Sequence, residues 1–274
     1  MLMTRSPDIA AEAERVGVDR VFIDLEVSGK AQRQTGRSTI ISDHTLDDLR
    51  AVRTVVRHAQ VLARVNPPGP STRSEVDAVI DAGADVVMLP YFTTRSEVET
   101  FVNAVGDRAI KCLLLETAAA FVRIDQIVDV PGVDEIHVGL NDLHASMGLT
   151  FMYELLAGGV LDSVAERIKC AERPIRFGFG GGALVGASHP VAPADILREH
   201  VRLGSQMIIL SRTFLGDAAS LAELTSRMNL GAEVSRIRQV VAAARERGPE
   251  QVESDRVRIW ETIWRASAQV GPGA

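Results

Sequence analysis

The chain has 274 residues, 46% of them hydrophobic and 24% charged, with a formal charge of −6. That composition supports a large folded core and excludes a disordered chain, while the acidic balance and the lack of a basic run argue against nucleic acid as a partner. No apolar stretch approaches the roughly 18–20 residues of a membrane span, and two cysteines, Cys112 and Cys170, build no disulfide framework. CxxC is also absent, so a reduced cytoplasmic setting is expected, and Met1 to Pro7 shows no charged-then-apolar signal pattern.

In chain order, short β-rich apolar runs alternate with amphipathic stretches. Leu2–Met3 reads as a strand, Asp8–Arg15 as a helix, and Arg20–Glu26 as a strand with acids at its carboxyl end. A loop containing Gly29, Gly36 and Ser38 leads to a predicted helix over Thr45–Arg57 and a strand over Val61–Asn66, stopped by Pro67 and Pro68. The pattern then predicts helix Ser74–Ala82, strand Asp85–Leu89, helix Arg95–Val105, strand Ile110–Glu116, helix Ala119–Val128 and strand Glu135–Leu140. A helical region around Phe151–Lys169, strand Ile175–Gly180, helix Pro193–Arg202 and strand Gln206–Leu210 follow. Strict alternation of this kind predicts a parallel sheet covered by helices, and eight units predict closure into an α/β (β/α)₈ TIM barrel.

The expected organisation is a barrel domain over residues 1–216 and a C-terminal helical extension over 217–274. In the extension, helices are predicted at Val234–Arg247 and Asp255–Ala266. Val257, Trp260 and Trp264 fall at i, i+3 and i+7 of the last, a narrow apolar face suited either to the chain's own barrel or to a neighbouring subunit.

Chemistry in such a barrel belongs at the carboxyl ends of the strands. The second predicted strand ends in Asp24 and Glu26, which share a face by two-residue alternation; the third carries Arg64 and Asn66 in the same way. The fifth ends in Glu116, the sixth runs into Asn141 and Asp142, and the seventh into Gly180, Gly181 and Gly182. Glu116 and Asp142, on adjacent strands at equal height, suit a hard octahedral cation with open positions; Mg²⁺ or Mn²⁺ fits best, with Co²⁺ admissible, and no His/Cys spacing favours zinc. Such a metal can chelate a 2-oxo acid and stabilise its enolate, with Arg64 as a fixed cation at the same oxygen. The amides around Asn141 and Asp142, or those of the Gly180–Gly181 turn, would hold the substrate carboxylate. Imine chemistry is disfavoured: of Lys30, Lys111 and Lys169, only Lys30 lies near the expected rim, and in a loop rather than on a strand.

These residues carry a resemblance. The segment Leu113 to Leu149, with Phe22–Glu26, Ala63–Pro67 and Gly83–Pro90 in the same order, resembles the HpcH/HpaI aldolase and citrate lyase family of pyruvate-binding barrels. The resemblance implies that Glu116 and Asp142 bind a divalent metal and that Arg64 polarises the keto or enolate oxygen. It implies reversible aldol cleavage or condensation of a 2-oxo acid with an aldehyde or acyl acceptor, and a homo-oligomer whose C-terminal helices pack on a neighbouring subunit. One branch of the family has a histidine directly after the acid of the strand-two motif, where this chain has Val27. Glu26, His44 and His144 are the substitutes available as base. The alternatives are a citrate-lyase-like acyl-CoA lyase and a non-catalytic metal-binding barrel with a regulatory role.

Other residues carry weaker signals. His137 reads as a satisfied core histidine, and Glu199, His200 and Arg202 as a solvated or interface face of their helix. Arg33 and Arg37 are further candidates for contact with an acidic substrate. Gly178 to Ala183 matches a dinucleotide-loop pattern, but it comes seventh rather than first in the βα series, and no acid closes a following strand.

Overall fold

The computed structural model describes residues 1–27, 43–210, 214–216 and 218–269. Eight parallel strands close into a barrel in chain order: β1 (Leu2–Met3), β2 (Arg20–Asp24), β3 (Gln60–Arg64), β4 (Val86–Leu89), β5 (Ile110–Leu115), β6 (Glu135–Val138), β7 (Arg176–Gly182) and β8 (Met207–Leu210). Leu2 pairs with both Val21 and Leu210, which makes the closure. The outer layer comprises α1 (Pro7–Arg15), α2 (Leu46–Val55), α3 (Thr72–Asp81), α4 (Arg95–Val105), α5 (Ala118–Val122), α6 (Ile124–Val128), α7 (Leu140–Ser146), α8 (Glu154–Ala157), α9 (Val160–Lys169) and α10 (Pro193–Arg202). After the barrel come α11 (Leu221–Arg227), α12 (Leu230–Arg245) and α13 (Pro249–Ser267).

Local sequence explains the starts of several helices. Thr45 with Asp48, and Thr94 with Glu97, form reciprocal capping boxes that satisfy amides otherwise left open at a helix start. Alternation sorts the strand residues: Phe22, Leu62, Val86, Met88, Cys112 and Leu114 fill the barrel, while Val21, Ile23, Val61, Ala63, Val87 and Leu113 pack under the helices.

Three features depart from the sequence pattern. The sixth strand stops at Val138, and Gly139 caps a new helix at once, so Asn141 and Asp142 lie on the first turn of α7 rather than at a strand end. Inside the barrel floor, Arg20 makes a bidentate pair with Glu135 at 2.5 and 2.7 Å, and Arg176 reaches the same carboxylate at 2.5 Å. The single buried carboxylate is compensated by both guanidinium groups. His137, two residues above Glu135, is fully buried, and neither ring nitrogen has a hydrogen-bond partner among the described residues. Burial pushes its pKa down to about 3, so the imidazole is neutral.

The C-terminal helices pack in part on their own barrel. Leu224, Leu230, Val234 and Ile237 join Leu2, Ile9, Leu197 and Leu210 in one buried cluster, so the extension covers the outside of β1 and β8 and completes the helical layer. On α13 the buried stripe is Ile259, Ile263 and Ala266, facing the chain's own core. Trp260 is half-buried beneath Arg256, 4.3 Å from its ring centroid. Val257 and Trp264 remain 44% and 48% exposed. The apolar residues of this helix therefore divide between two faces, and the one that docks on the barrel is the isoleucine stripe.

Candidate active site

The carboxyl rim of β2 and β3 holds a buried ionic cluster. Asp24 is fully buried and accepts two 2.8 Å hydrogen bonds from Nε and Nη2 of Arg64, a bidentate pair fixed by strand register, since the two residues are direct partners. Glu26 lies 3.2 Å from the same Nη2 and is 3% exposed. Burial alone would favour a neutral guanidinium, but Asp24, then Glu26 and Glu116, hold the Arg64 pKa well above its ordinary value. Arg64 is a permanent cation whose place is set by carboxylates.

Glu116 continues the inward face of β5. Its Oε1 accepts the Tyr91 amide at 3.1 Å. Tyr91 has φ 54, an unusual left-handed conformation for a bulky residue, which aims that amide at the rim. A Cβ at Gly139 would come within 2.8 Å of Glu116 Oε2 and 2.9 Å of Glu116 Cβ, so glycine makes room for this carboxylate against the end of β6. Asp142 follows on α7 and is half-buried; its carboxylate takes no hydrogen bond or ion pair from the described residues. Glu116 and Asp142 thus bring carboxylate oxygens to the ends of β5 and β6. No group of three or more His, Cys, Asp or Glu side chains arranged for a metal occurs among the described residues.

His44 supports the cluster from outside. Its Nδ1 accepts the Asp24 amide at 3.0 Å. Burial lowers its pKa against the pull of Asp24 and Asp48, so the ring is neutral with its hydrogen on Nε2. His44 therefore presents a donor rather than a basic nitrogen. His144, the other histidine considered, is engaged by its own helix, with Nδ1 2.9 Å from the Leu140 carbonyl. Val27 is 60% exposed at the rim, and its amide is held by Asn66 Oδ1 at 2.9 Å.

On β7, Phe179 pairs with Ile208 and Gly182 with Leu210, so Gly180 and Gly181 form a bulge beside the rim. Gly181 has φ +98, and a Cβ there would press on Ile196 and Tyr153. Asn141 is exposed on the first turn of α7. Lys111 lies at the opposite end of β5 from Glu116, its Nζ donating to the Gly106 carbonyl at 2.9 Å. Lys30, Arg33 and Arg37 fall outside the described residues.

The pattern pointed to Arg64, Glu26 and Glu116 but gave no reason to single out Tyr91 or Gly139. Asp24 was visible as an acid in phase with Glu26; its bidentate hold on Arg64 depends on the pairing of β2 with β3. His200, expected on a solvated or interface face, is buried against β7, and Glu199 beside it is 1% exposed and paired with Arg202.

A parallel barrel with acids and a guanidinium converging on its carboxyl rim has the layout of a barrel enzyme site. Residues 2–174 match the HpcH/HpaI aldolase/citrate lyase family, and the chain belongs to it. Two curated relatives are hydroxypyruvate/pyruvate aldolases. That of Sagittula stellata is 28% identical over 172 residues, 52% of this chain and 62% of the relative; that of Rhizorhabdus wittichii is 23% identical over 152 residues, 44% and 59% respectively. The match thus spans only about three-fifths of those relatives' lengths. Among solved structures, an HpcH/HpaI aldolase from Desulfitobacterium hafniense shares the fold with a TM-score of 0.60 at 17% identity, covering 90% of this chain and 93% of that one. A family member from Burkholderia cenocepacia gives 0.58 at 18%, covering 90% and 95%.

Proposed function

We propose that this protein is a carbon–carbon lyase of the aldolase type that makes or uses a pyruvate-type enolate from a 2-oxo acid. The observation that carries the reading is Arg64, a buried cation pinned by Asp24 and Glu26 beside Glu116 at the carboxyl rim. Nε and Nη2 of Arg64 are spent on Asp24, which leaves Nη1 to donate to a keto oxygen. As a proton leaves C3 of the oxo acid, or as the C3–C4 bond of a hydroxy-oxo acid breaks, the electron pair moves onto that oxygen. A preorganised guanidinium stabilises the new charge without reorganisation. Glu26 is the carboxylate that takes the proton, and the Nε2 hydrogen of His44, which meets no acceptor among the described residues, orients substrate or water. Backbone amides at Asn141 and Asp142 and at Gly180 and Gly181 hold the substrate carboxylate.

Glu116 and Asp142 would hold a divalent ion, Mg²⁺ or Mn²⁺. The fit rests on their oxygen-only chemistry and on the space that Gly139 leaves at Glu116. When bound, the ion supplies Lewis-acid stabilisation of the keto oxygen. Val257 and Trp264, exposed on α13, support a homo-oligomer in which this face meets a neighbouring subunit.

Deuterium exchange at the methyl group of pyruvate, with Mg²⁺ or Mn²⁺ and with chelator, tests the reading. Metal-dependent exchange is expected in the wild type and its loss in Glu116→Gln/Asp142→Asn. Exchange and metal uptake unaffected by that double substitution would refute it.

A further inference from the structure

The glycine bulge on β7 is gripped from outside the barrel. His200, on α10, is 5% exposed and lies flat on Phe179, with ring centroids 3.5 Å apart and planes 6° from parallel. Its Nε2 is 3.3 Å from the Gly180 carbonyl oxygen, and its Nδ1 is 2.8 Å from Ser205 Oγ. Ser205 Oγ is also 3.1 Å from the Met207 carbonyl. Burial pushes the His200 pKa down to about 3, so the ring carries a single N–H.

That one hydrogen has two placements. If Ser205 donates to Met207, His200 donates from Nδ1 to Ser205, and the bare Nε2 faces a carbonyl oxygen in a buried contact. If Ser205 donates to Nδ1, the Nε2 hydrogen points at Gly180, and both ring nitrogens are satisfied. The second placement gives up the 3.1 Å bond from Ser205 to Met207, but the first sets a bare Nε2 lone pair against a buried carbonyl oxygen, an unmade bond of about 1–3 kcal/mol with repulsion added, and the second is selected. The result is a directed chain from Ser205 through His200 to the Gly180 carbonyl. The same helix braces the next residue, since a Cβ at Gly181 would lie 3.1 Å from Ile196 of α10.

We propose that His200, oriented by Ser205, is a positioning residue that sets the Gly180–Gly182 turn for the substrate carboxylate from the outer face of the barrel. The proposal rests on the reading above that this turn belongs to the substrate site. His200 touches no substrate; it fixes one carbonyl, and through it the direction of the amides that follow.

His200→Phe keeps the stack on Phe179 and removes both nitrogens. His200→Gln keeps a donor and an acceptor of similar reach without the ring. Backbone hydrogen exchange over residues 178–186 reads the turn directly, and calorimetric titration of pyruvate with Mg²⁺ reads the site. In His200→Phe, faster exchange in this segment and pyruvate affinity weaker by about ten-fold are expected, the equivalent of one lost hydrogen bond. His200→Gln should recover much of both, and Ser205→Ala should fall between. Unchanged exchange in His200→Phe overturns the proposed tie. Faster exchange with unaltered pyruvate affinity overturns the link from the turn to the substrate. A wild type that binds no pyruvate refutes the proposed function instead, and the exchange measurement still decides whether His200 holds the turn.

Discussion

Asp24→Asn isolates the pair on which the rim depends. The substitution keeps the shape of the side chain and deletes its charge, leaving Arg64 9% exposed with one carboxylate, Glu26, within 3.2 Å. Two unit charges about 4 Å apart attract by about 4 kcal/mol at an effective dielectric near 20. Removing one member of a buried pair costs about 3–5 kcal/mol because the other charge is stranded. Glu26 and the surviving amide oxygen offset part of this, so a loss of about 3 kcal/mol is expected. At about 2–4 °C per kcal/mol for a chain of this size, the midpoint of a thermal scan should fall by roughly 6–12 °C. Activity should fall further than folding does, because Arg64 is no longer directed. The companion Asp24→Asn/Arg64→Met removes the stranded charge; it should regain most of the lost stability and none of the activity. If Asp24→Asn melts with the wild type, or if the companion is the less stable of the two, the pair is not the buried, mutually dependent unit described here.

Gly139→Ala should lower turnover by about a hundred-fold or more, since its Cβ would push on Glu116 by the 2.8 and 2.9 Å approaches; a 1 Å displacement at a reacting centre costs on that order, and unchanged kinetics would show that Glu116 is not placed by this contact. Acid should destabilise the fold through His137 and His200, both held at about 3 against an ordinary 6.5. Between those values the unfolded chain binds protons that the folded chain refuses, so stability is complete above about pH 6.5 and falls as pH drops, by about 1.4 kcal/mol per unit for each histidine. His137→Leu should flatten that slope between pH 7 and 4.5 in thermal scans; an unaltered slope would count against a neutral buried imidazole. On α13, Ile263→Ala should cost about 2–5 kcal/mol, whereas Trp264→Ala should leave the midpoint of the single chain almost unmoved. Equal losses from the two would contradict the buried isoleucine stripe.

The alternation of apolar strands with amphipathic helices is a local property, and it carried the barrel, the positions of its strands within a residue or two, and the identity of the acids at their carboxyl ends. Helix starts such as Thr45 and Thr94 were equally local, because a capping box spans only four residues. Parity along each strand likewise put Asp24 with Glu26, and Arg64 with Asn66, on shared faces. Everything that needed two distant segments at once had to wait for the fold. The grip of Asp24 on Arg64 arises from the register of β2 against β3. Tyr91 serves Glu116 through a backbone conformation that its side chain does not advertise. Arg20, Glu135 and Arg176 satisfy one another only once the barrel closes. The short-range pattern says which face of an element is apolar, but not which partner a polar group on that face will meet. For His200 and the C-terminal helix that partner decided the outcome: β7 took the imidazole, and the barrel took Ile259 and Ile263, with Trp260 packed at their edge and Trp264 left exposed.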